Sequence, residues 1–242
     1  MIRRRDVRAL LMGGQACVLY GAAQFSRDLD LAVLADASNL ARIRDAMQDL
    51  GAEVVAVPPF DAVFLDRGHA VHFRCNHPEV AGLRVDVMAR RRGVDAFALL
   101  WERRTVLATP DGETWDVMAL ADLVRAKKTQ RDKDWPMIRA LVEADYFACT
   151  AEPSPDRVRL WLRELRTTSL LVEVASRHPG LAAEEAVTRP SLEAAIKADA
   201  GALAGFLMQE EQHERAMDAA YWKPLKAELE KLRHARTPRA PS

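Results

Sequence analysis

Two aspartates, Asp28 and Asp30, stand two residues apart in the stretch Asp28-Leu29-Asp30-Leu31. On an extended strand, side chains at i and i+2 project from one face, so this pair would set two carboxylates side by side. Such carboxylates repel each other unless a cation lies between them. Magnesium takes oxygen ligands in octahedral geometry and is held by a few carboxylates together with substrate phosphates. Upstream, Gly13-Gly14 opens a run with helical spacing; glycine permits close backbone approach, and the unpaired N–H groups of a helix start can meet a phosphate. A third acid, Asp86, sits in the middle of the apolar run Leu83-Arg84-Val85-Asp86-Val87-Met88, where an unpaired carboxylate is costly to bury. Sharing a metal would account for it, and with Asp30 it could hold the ion that activates an attacking group. A phosphate cradle beside a metal site is what phosphoryl or nucleotidyl transfer requires. The plainer alternatives are a solvated strand end for Asp28 and Asp30, an ordinary turn at Gly13-Gly14, and an ion pair of Asp86 with Arg84 or Arg90.

The elements that must position these residues alternate between helix and strand. The apolar run over 7–12 leads into Gly13-Gly14, and 15–23 has helical spacing with Ala16, Leu19 and Tyr20 on one face. Strands are expected over 28–34, 53–57, 71–75 and 83–88. An amphipathic helix is expected over 39–50, with Ser38 as its cap and Gly51 as its stop. A short helix over 97–103 precedes a hairpin of 105–109 and 114–117 joined by Pro110-Asp111-Gly112. Helices follow over 120–128 and 134–146, with Asp134 where a cap belongs and Pro136 tolerated in the first turn. After Pro153-Ser154-Pro155 the pattern is almost wholly helical to residue 233, with breaks near His178-Pro179-Gly180 and Arg189-Pro190. The fold class expected is α/β (α+β): a small mixed sheet flanked by helices over 1–150, then a helical C-terminal region over 151–242. The Pro-rich end over 237–242 is expected to fray.

The 242 residues and 49% hydrophobic content are enough for a sizeable core. Thirty-five basic and 35 acidic residues cancel, so net charge neither demands nor excludes a polynucleotide partner. Cys17, Cys75 and Cys149 form no C-x-x-C pair and are odd in number, which argues against a disulfide framework or structural zinc. His69, His72, Cys75 and His77 match no finger spacing, and His72 and Cys75 would face opposite sides of a strand. No apolar run is long enough to cross a bilayer, and the basic start is not followed by a clean apolar segment; a cytoplasmic protein with no membrane partner is expected. The arginines at 157, 159, 163 and 166 could form an acceptor surface, against the default of a solvated helix face. Trp161 and Trp222 are expected to pack rather than stack on bases.

The pattern Gly13-Gly14, then Ser26-x-Asp28-x-Asp30, then Asp86 on a separate strand resembles the nucleotidyltransferase superfamily that includes DNA polymerase beta. More narrowly it is similar to the abortive-infection and toxin–antitoxin nucleotidyltransferases. The stretch Lys127-Lys128-Thr129-Gln130-Arg131-Asp132-Lys133-Asp134 resembles a Lys, Arg, Lys-Asp signature that follows the catalytic sheet in those proteins. The likeness covers roughly residues 5 to 145. It implies a magnesium-dependent enzyme, with manganese as an alternative ion, moving a nucleotidyl group from a nucleoside triphosphate to an acceptor hydroxyl. Asp28, Asp30 and Asp86 would be the catalytic and metal-binding acids. Gly13, Gly14, Ser26, Lys128, Arg131 and Lys133 would meet the nucleotide, although a charge run such as 127–133 is by default a solvated helix end. The acceptor implied is an RNA end such as that of tRNA, a protein side chain or a small molecule such as an antibiotic, with an antitoxin as a candidate partner. A nucleotide-sensing or partner-binding module on the same fold is the non-catalytic alternative. One position departs from the pattern: many members carry Ser where this chain has Gly14, which leaves only the backbone amide there.

Overall fold

A computed structural model describes residues 2–109 and 112–236. Contacts divide the described residues into two compact units: one built of 2–19, 23–126 and 220–236, the other of Tyr20–Ala22 and Lys127–Ala219. The last strand ends at Val117, well before the change in composition near residue 150. The contacts divide earlier because the helix α6 (Asp134–Cys149) packs in the second unit.

The first unit is a mixed α+β fold. Its strands are β1 (Ala9–Met12), β2 (Asp28–Val33), β3 (Glu53–Val54), β4 (Val71–Arg74), β5 (Arg84–Met88), β6 (Thr105–Ala108) and β7 (Thr114–Val117). They form one sheet in the order β3-β4-β5-β2-β1-β7-β6. β1 is buried along its whole length, as expected of an apolar central strand. β2 is buried only in its second half, so Asp28, Leu29 and Asp30 lie at its open end. β2 runs antiparallel to β1 and parallel to β5. The helices are α1 (Gly13–Leu19), α2 (Ala37–Asp49), α3 (Ala62–Arg67), α4 (Phe97–Glu102) and α5 (Leu120–Lys127). Leu40, Ile43 and Met47 of α2 recur on one face and are buried, which is the helical period burying its stripe.

Local chemistry departs from expectation at a few ends. α2 is capped by Asp36, whose carboxylate accepts from the Asn39 amide at 2.7 Å, and Ser38 instead donates to Asp36. Gly51 follows the helix with φ of 55°, the left-handed stop that glycine allows. β3 is shorter than the apolar run over 53–57, since Pro58 and Pro59 bring no N–H to a ladder. α3, which the sequence pattern does not reveal, is a short turn capped by Asp61 through the Val63 amide. The turn residues 110 and 111 of the expected hairpin, and the end over 237–242, lie outside the described residues.

The second unit is helical. It comprises α6, α7 (Pro155–Glu164), α8 (Thr168–Arg177), α9 (Pro179–Ala186), α10 (Ser191–Ile196) and the first part of α11 (Ala200–Arg236). Its core gathers Trp135, Ile138, Leu141, Tyr146, Trp161, Leu162, Leu165, Leu171 and Val174, all buried. The Trp161 indole N–H donates to Asp145 at 2.8 Å, so it packs as a core aromatic with its one donor satisfied. Asp134 is the first residue of α6 rather than its cap. Among the described residues no helix is long and apolar enough to cross a membrane.

Candidate active site

Parallel pairing of β2 with β5 sets Asp28 opposite Arg84 and Asp30 opposite Asp86. Antiparallel pairing of β4 with β5 sets His72 opposite Asp86 and Arg74 opposite Arg84. Residues opposite one another across a ladder share a face, as do residues two apart on a strand. One face at one end of the sheet therefore carries two rows, Asp28-Arg84-Arg74 and Asp30-Asp86-His72, across three neighbouring strands. The three acids that sequence reasoning selected are brought together on this face.

The β1–α1 junction borders the same carboxylates, since Met12 is the register partner of Asp30. Gly13 has φ of 67°, and a Cβ there would lie 1.9 Å from Asp30 Oδ2. Both facts require glycine: the left-handed backbone and the Asp30 carboxylate lying against it. The Gly14 amide donates to Asp30 Oδ2 at 3.4 Å, a long, weak bond. A Cβ at Gly14 would lie 2.3 Å from Ser26 Oγ. The Ser26 hydroxyl thus occupies the space that a side chain at position 14 would need, which gives the Gly14 departure a steric cause. Gln15 fixes this loop by donating its side-chain amide to the Ser26 carbonyl at 2.8 Å, and Ser26 Oγ donates to the Asp28 carbonyl at 3.3 Å.

Asp86 is nearly buried. Arg84 grips it with two hydrogen bonds, Nε to Oδ1 at 2.8 Å and Nη2 to Oδ2 at 2.9 Å, and His72 Nδ1 lies 2.8 Å from Oδ1. Burial alone would raise the Asp86 carboxyl; the bonds from His72 and Arg84 outweigh it and hold the group below its ordinary value. The hydrogen bonds to Asp86 hold Arg84 above its ordinary value, and the charges of Asp28 and Asp30 add to this. Of the two arginines that could pair with Asp86, the partner is Arg84, while Arg90 lies 4.0 Å from Asp66. Sequence reasoning did not place His72 at this site. The alternation of Arg84 and Asp86 was visible, but the β4 register that adds His72 was not.

The donor chemistry suits magnesium, because three carboxylates share a face and Gly13 leaves Asp30 the room it needs. Among the described residues no three His, Cys, Asp or Glu side chains are gathered closely enough to hold a metal as they stand. Asp86 would have to part from Arg84 to join a metal.

The cationic stretch over 127–133 belongs to the second unit and is mostly engaged there. Lys128 Nζ pairs with Glu164 at 2.7 Å. Lys127 and Arg131 pair with Asp134 at 3.6 and 2.8 Å, and the Thr129 hydroxyl donates to the same carboxylate at 2.6 Å. Asp134, expected as a cap, is a buried hub of ion pairs. Lys133 is exposed at the start of α6. Of the arginines considered as an acceptor surface, Arg159 and Arg163 bind Glu185, Arg157 lies 3.4 Å from Asp145, and Arg166 binds Glu210.

Comparison of the chain with protein-family models finds no match, and comparison with curated proteins finds none.

Proposed function

We propose that the chain is a magnesium-dependent nucleotidyltransferase, moving a nucleotidyl group from a nucleoside triphosphate to an acceptor hydroxyl. One observation carries this reading: Asp30 and Asp86 are register partners on parallel strands with Asp28 on the same face, beside a glycine that only a left-handed turn against Asp30 explains. Asp28 and Asp30 would hold the ion, with Asp86 completing the set once released by Arg84. When bound, the ion supplies positive charge against the phosphates and the developing transition-state charge. The long bond from Gly14 N–H to Asp30 is one that a phosphate oxygen could take over. The Ser26 hydroxyl, now donating to the Asp28 carbonyl, lies where a side chain at position 14 would sit and could turn to supply the donor that many members of the resembled superfamily carry there. Arg84, once free of Asp86, is a guanidinium suited to bidentate contact with phosphate. Asp86 is held as a carboxylate, the form that a metal ligand or a base toward the acceptor hydroxyl requires.

The grip of Arg84 and His72 on Asp86 favours a second reading, a module on this fold that binds a nucleotide without transferring it. Pyrophosphate release separates the two. The purified chain is incubated with magnesium and each labelled triphosphate, in the presence of total RNA, protein extract or small hydroxylated acceptors. Transfer of label with release of pyrophosphate supports the enzyme and identifies the acceptor class. Nucleotide-dependent stabilisation with neither supports the binding module.

A further inference from the structure

The second unit contains a cavity of about 660 Å³, within the range of small-molecule sites. Its wall draws on α6 for Arg139, on the turn after α7 for Arg166, and on the first residue of α8, Thr168. One face of α11 supplies Ala204, Met208, Glu211 and Arg215 at helical spacing. Three arginines and one glutamate line it; Arg215 is paired with that glutamate, Glu211, at 2.8 Å and with Asp132 at 2.7 Å, which leaves Arg139 and Arg166 as the cations open to a ligand.

The arginines are unequally compensated. No described residue makes a hydrogen bond or ion pair with Arg139. Arg166 bonds Glu210 at 2.6 Å, but Arg189 bonds the same carboxylate at 2.9 and 3.0 Å. Two guanidiniums on one carboxylate leave a largely buried positive charge uncancelled. Burial, followed by repulsion from Arg189, accordingly holds Arg166 below its ordinary value. Arg166 and Arg215 are both held in place over the Trp135 ring, 5.2 and 5.6 Å from its centre, so their positions are fixed before any ligand arrives. Thr167 does not cap α8; its hydroxyl donates to Glu143 instead. Leu207, Met208 and Ala204 of α11 add an apolar lining.

We infer that this cavity binds a phosphate monoester of nucleotide size. The phosphate, close to doubly charged at neutral pH, meets Arg139 and Arg166, and the organic body lies on Leu207 and Met208. Guanidinium forks match phosphate oxygens in geometry as well as charge. A carboxylate of similar size would bring half the charge, and an uncharged ligand would leave Arg139 and the shared charge of Arg166 uncompensated. The inference draws only on residues of the second unit and does not rest on the carboxylates of β2 and β5.

Isothermal titration of the full chain at low salt with AMP, adenosine and inorganic phosphate tests it. AMP binds, inorganic phosphate competes with it, and adenosine binds on the order of tenfold more weakly or not at all. Arg139→Gln, at an exposed position with nothing to lose in the fold, weakens AMP on the order of tenfold, and Arg139→Lys recovers part of it. Asp28→Ala with Asp30→Ala leaves this binding unchanged. The inference is overturned if AMP and adenosine bind alike, if neither AMP nor phosphate binds up to millimolar concentration, or if Arg139→Gln has no effect. It is equally overturned if the carboxylate variant abolishes AMP binding while Arg139→Gln retains it.

Discussion

Substituting Gly13 by alanine tests whether Asp30 is held against the β1–α1 turn as described. The added Cβ meets Asp30 at Oδ2, Cγ and Cβ at 1.9, 2.4 and 2.6 Å, so the Asp30 side chain must move by about 1 Å or more to restore contact distance. The φ of 67° adds a left-handed cost of about 1–2 kcal/mol for alanine. Overpacking of this kind adds roughly 1–3 kcal/mol, giving about 2–5 kcal/mol in all. The two parts separate in a double-mutant cycle with Asp30→Gly, which removes all three clashing atoms. In that background Gly13→Ala should cost only the backbone part, about 1–2 kcal/mol. Urea unfolding of the four proteins gives each value. Equal costs of Gly13→Ala in both backgrounds would refute the contact, and a neutral Gly13→Ala would refute the turn itself.

Other consequences follow from the same contacts. Removing the Arg84 charge beside three carboxylates should tighten cation binding, so Arg84→Gln is expected to bind Mn²⁺ on the order of tenfold more tightly; paramagnetic resonance of free Mn²⁺ measures this, and weaker binding contradicts it. Lys128→Ala strands the nearly buried Glu164 carboxylate and should destabilise the chain by about 3 kcal/mol, whereas Lys133→Ala, at an exposed position, should stay within about 0.5 kcal/mol; equal melting temperatures would return Lys128 to the pool of free cations. Burial raises the Asp134 and Glu210 carboxyls, but hydrogen bonds from Thr129 and Arg189 and the nearby charges outweigh it and hold both below their ordinary values, and hydrogen bonds from Arg163 and Arg159 do the same for Glu185. Because their folded values are depressed, the stability they contribute is present above about pH 4 and lost as pH falls through those lower values. The midpoint of acid unfolding, followed by circular dichroism, should therefore depend on these groups, with Asp134→Asn flattening part of the pH dependence; a chain that gains stability on acidification contradicts this.

The alternation Asp28-x-Asp30 with a Leu and Val run made β2 and its acidic face legible, because a two-residue period states which side chains share a face. The helical stripe of Leu40, Ile43 and Met47 was legible for the same reason. Pairing between strands was not. Nothing in 71–75 announces that His72 lies opposite Asp86, since register is set by contacts far apart in the chain. Single residues also divided by context. Gly13 and Gly14 read alike in sequence, yet one answers to Asp30 and a left-handed backbone and the other to Ser26 Oγ. Lys128, Arg131 and Lys133 read as one charge run, while two of them are committed to Glu164 and Asp134. The two compact units are not consecutive in the chain, because residues 220–236 belong with the first. A composition scan along the chain has no means of detecting such a return.

The most direct test of the central reading is transfer of label from a nucleoside triphosphate in the presence of magnesium, by the wild-type chain beside Asp28→Ala, Asp30→Ala and Asp86→Ala variants confirmed to be folded by their circular dichroism. The account predicts a labelled acceptor and released pyrophosphate with the wild type, and loss of both in all three variants. Transfer that persists without the three carboxylates, or a wild-type chain that releases no pyrophosphate with any triphosphate and acceptor, would contradict it.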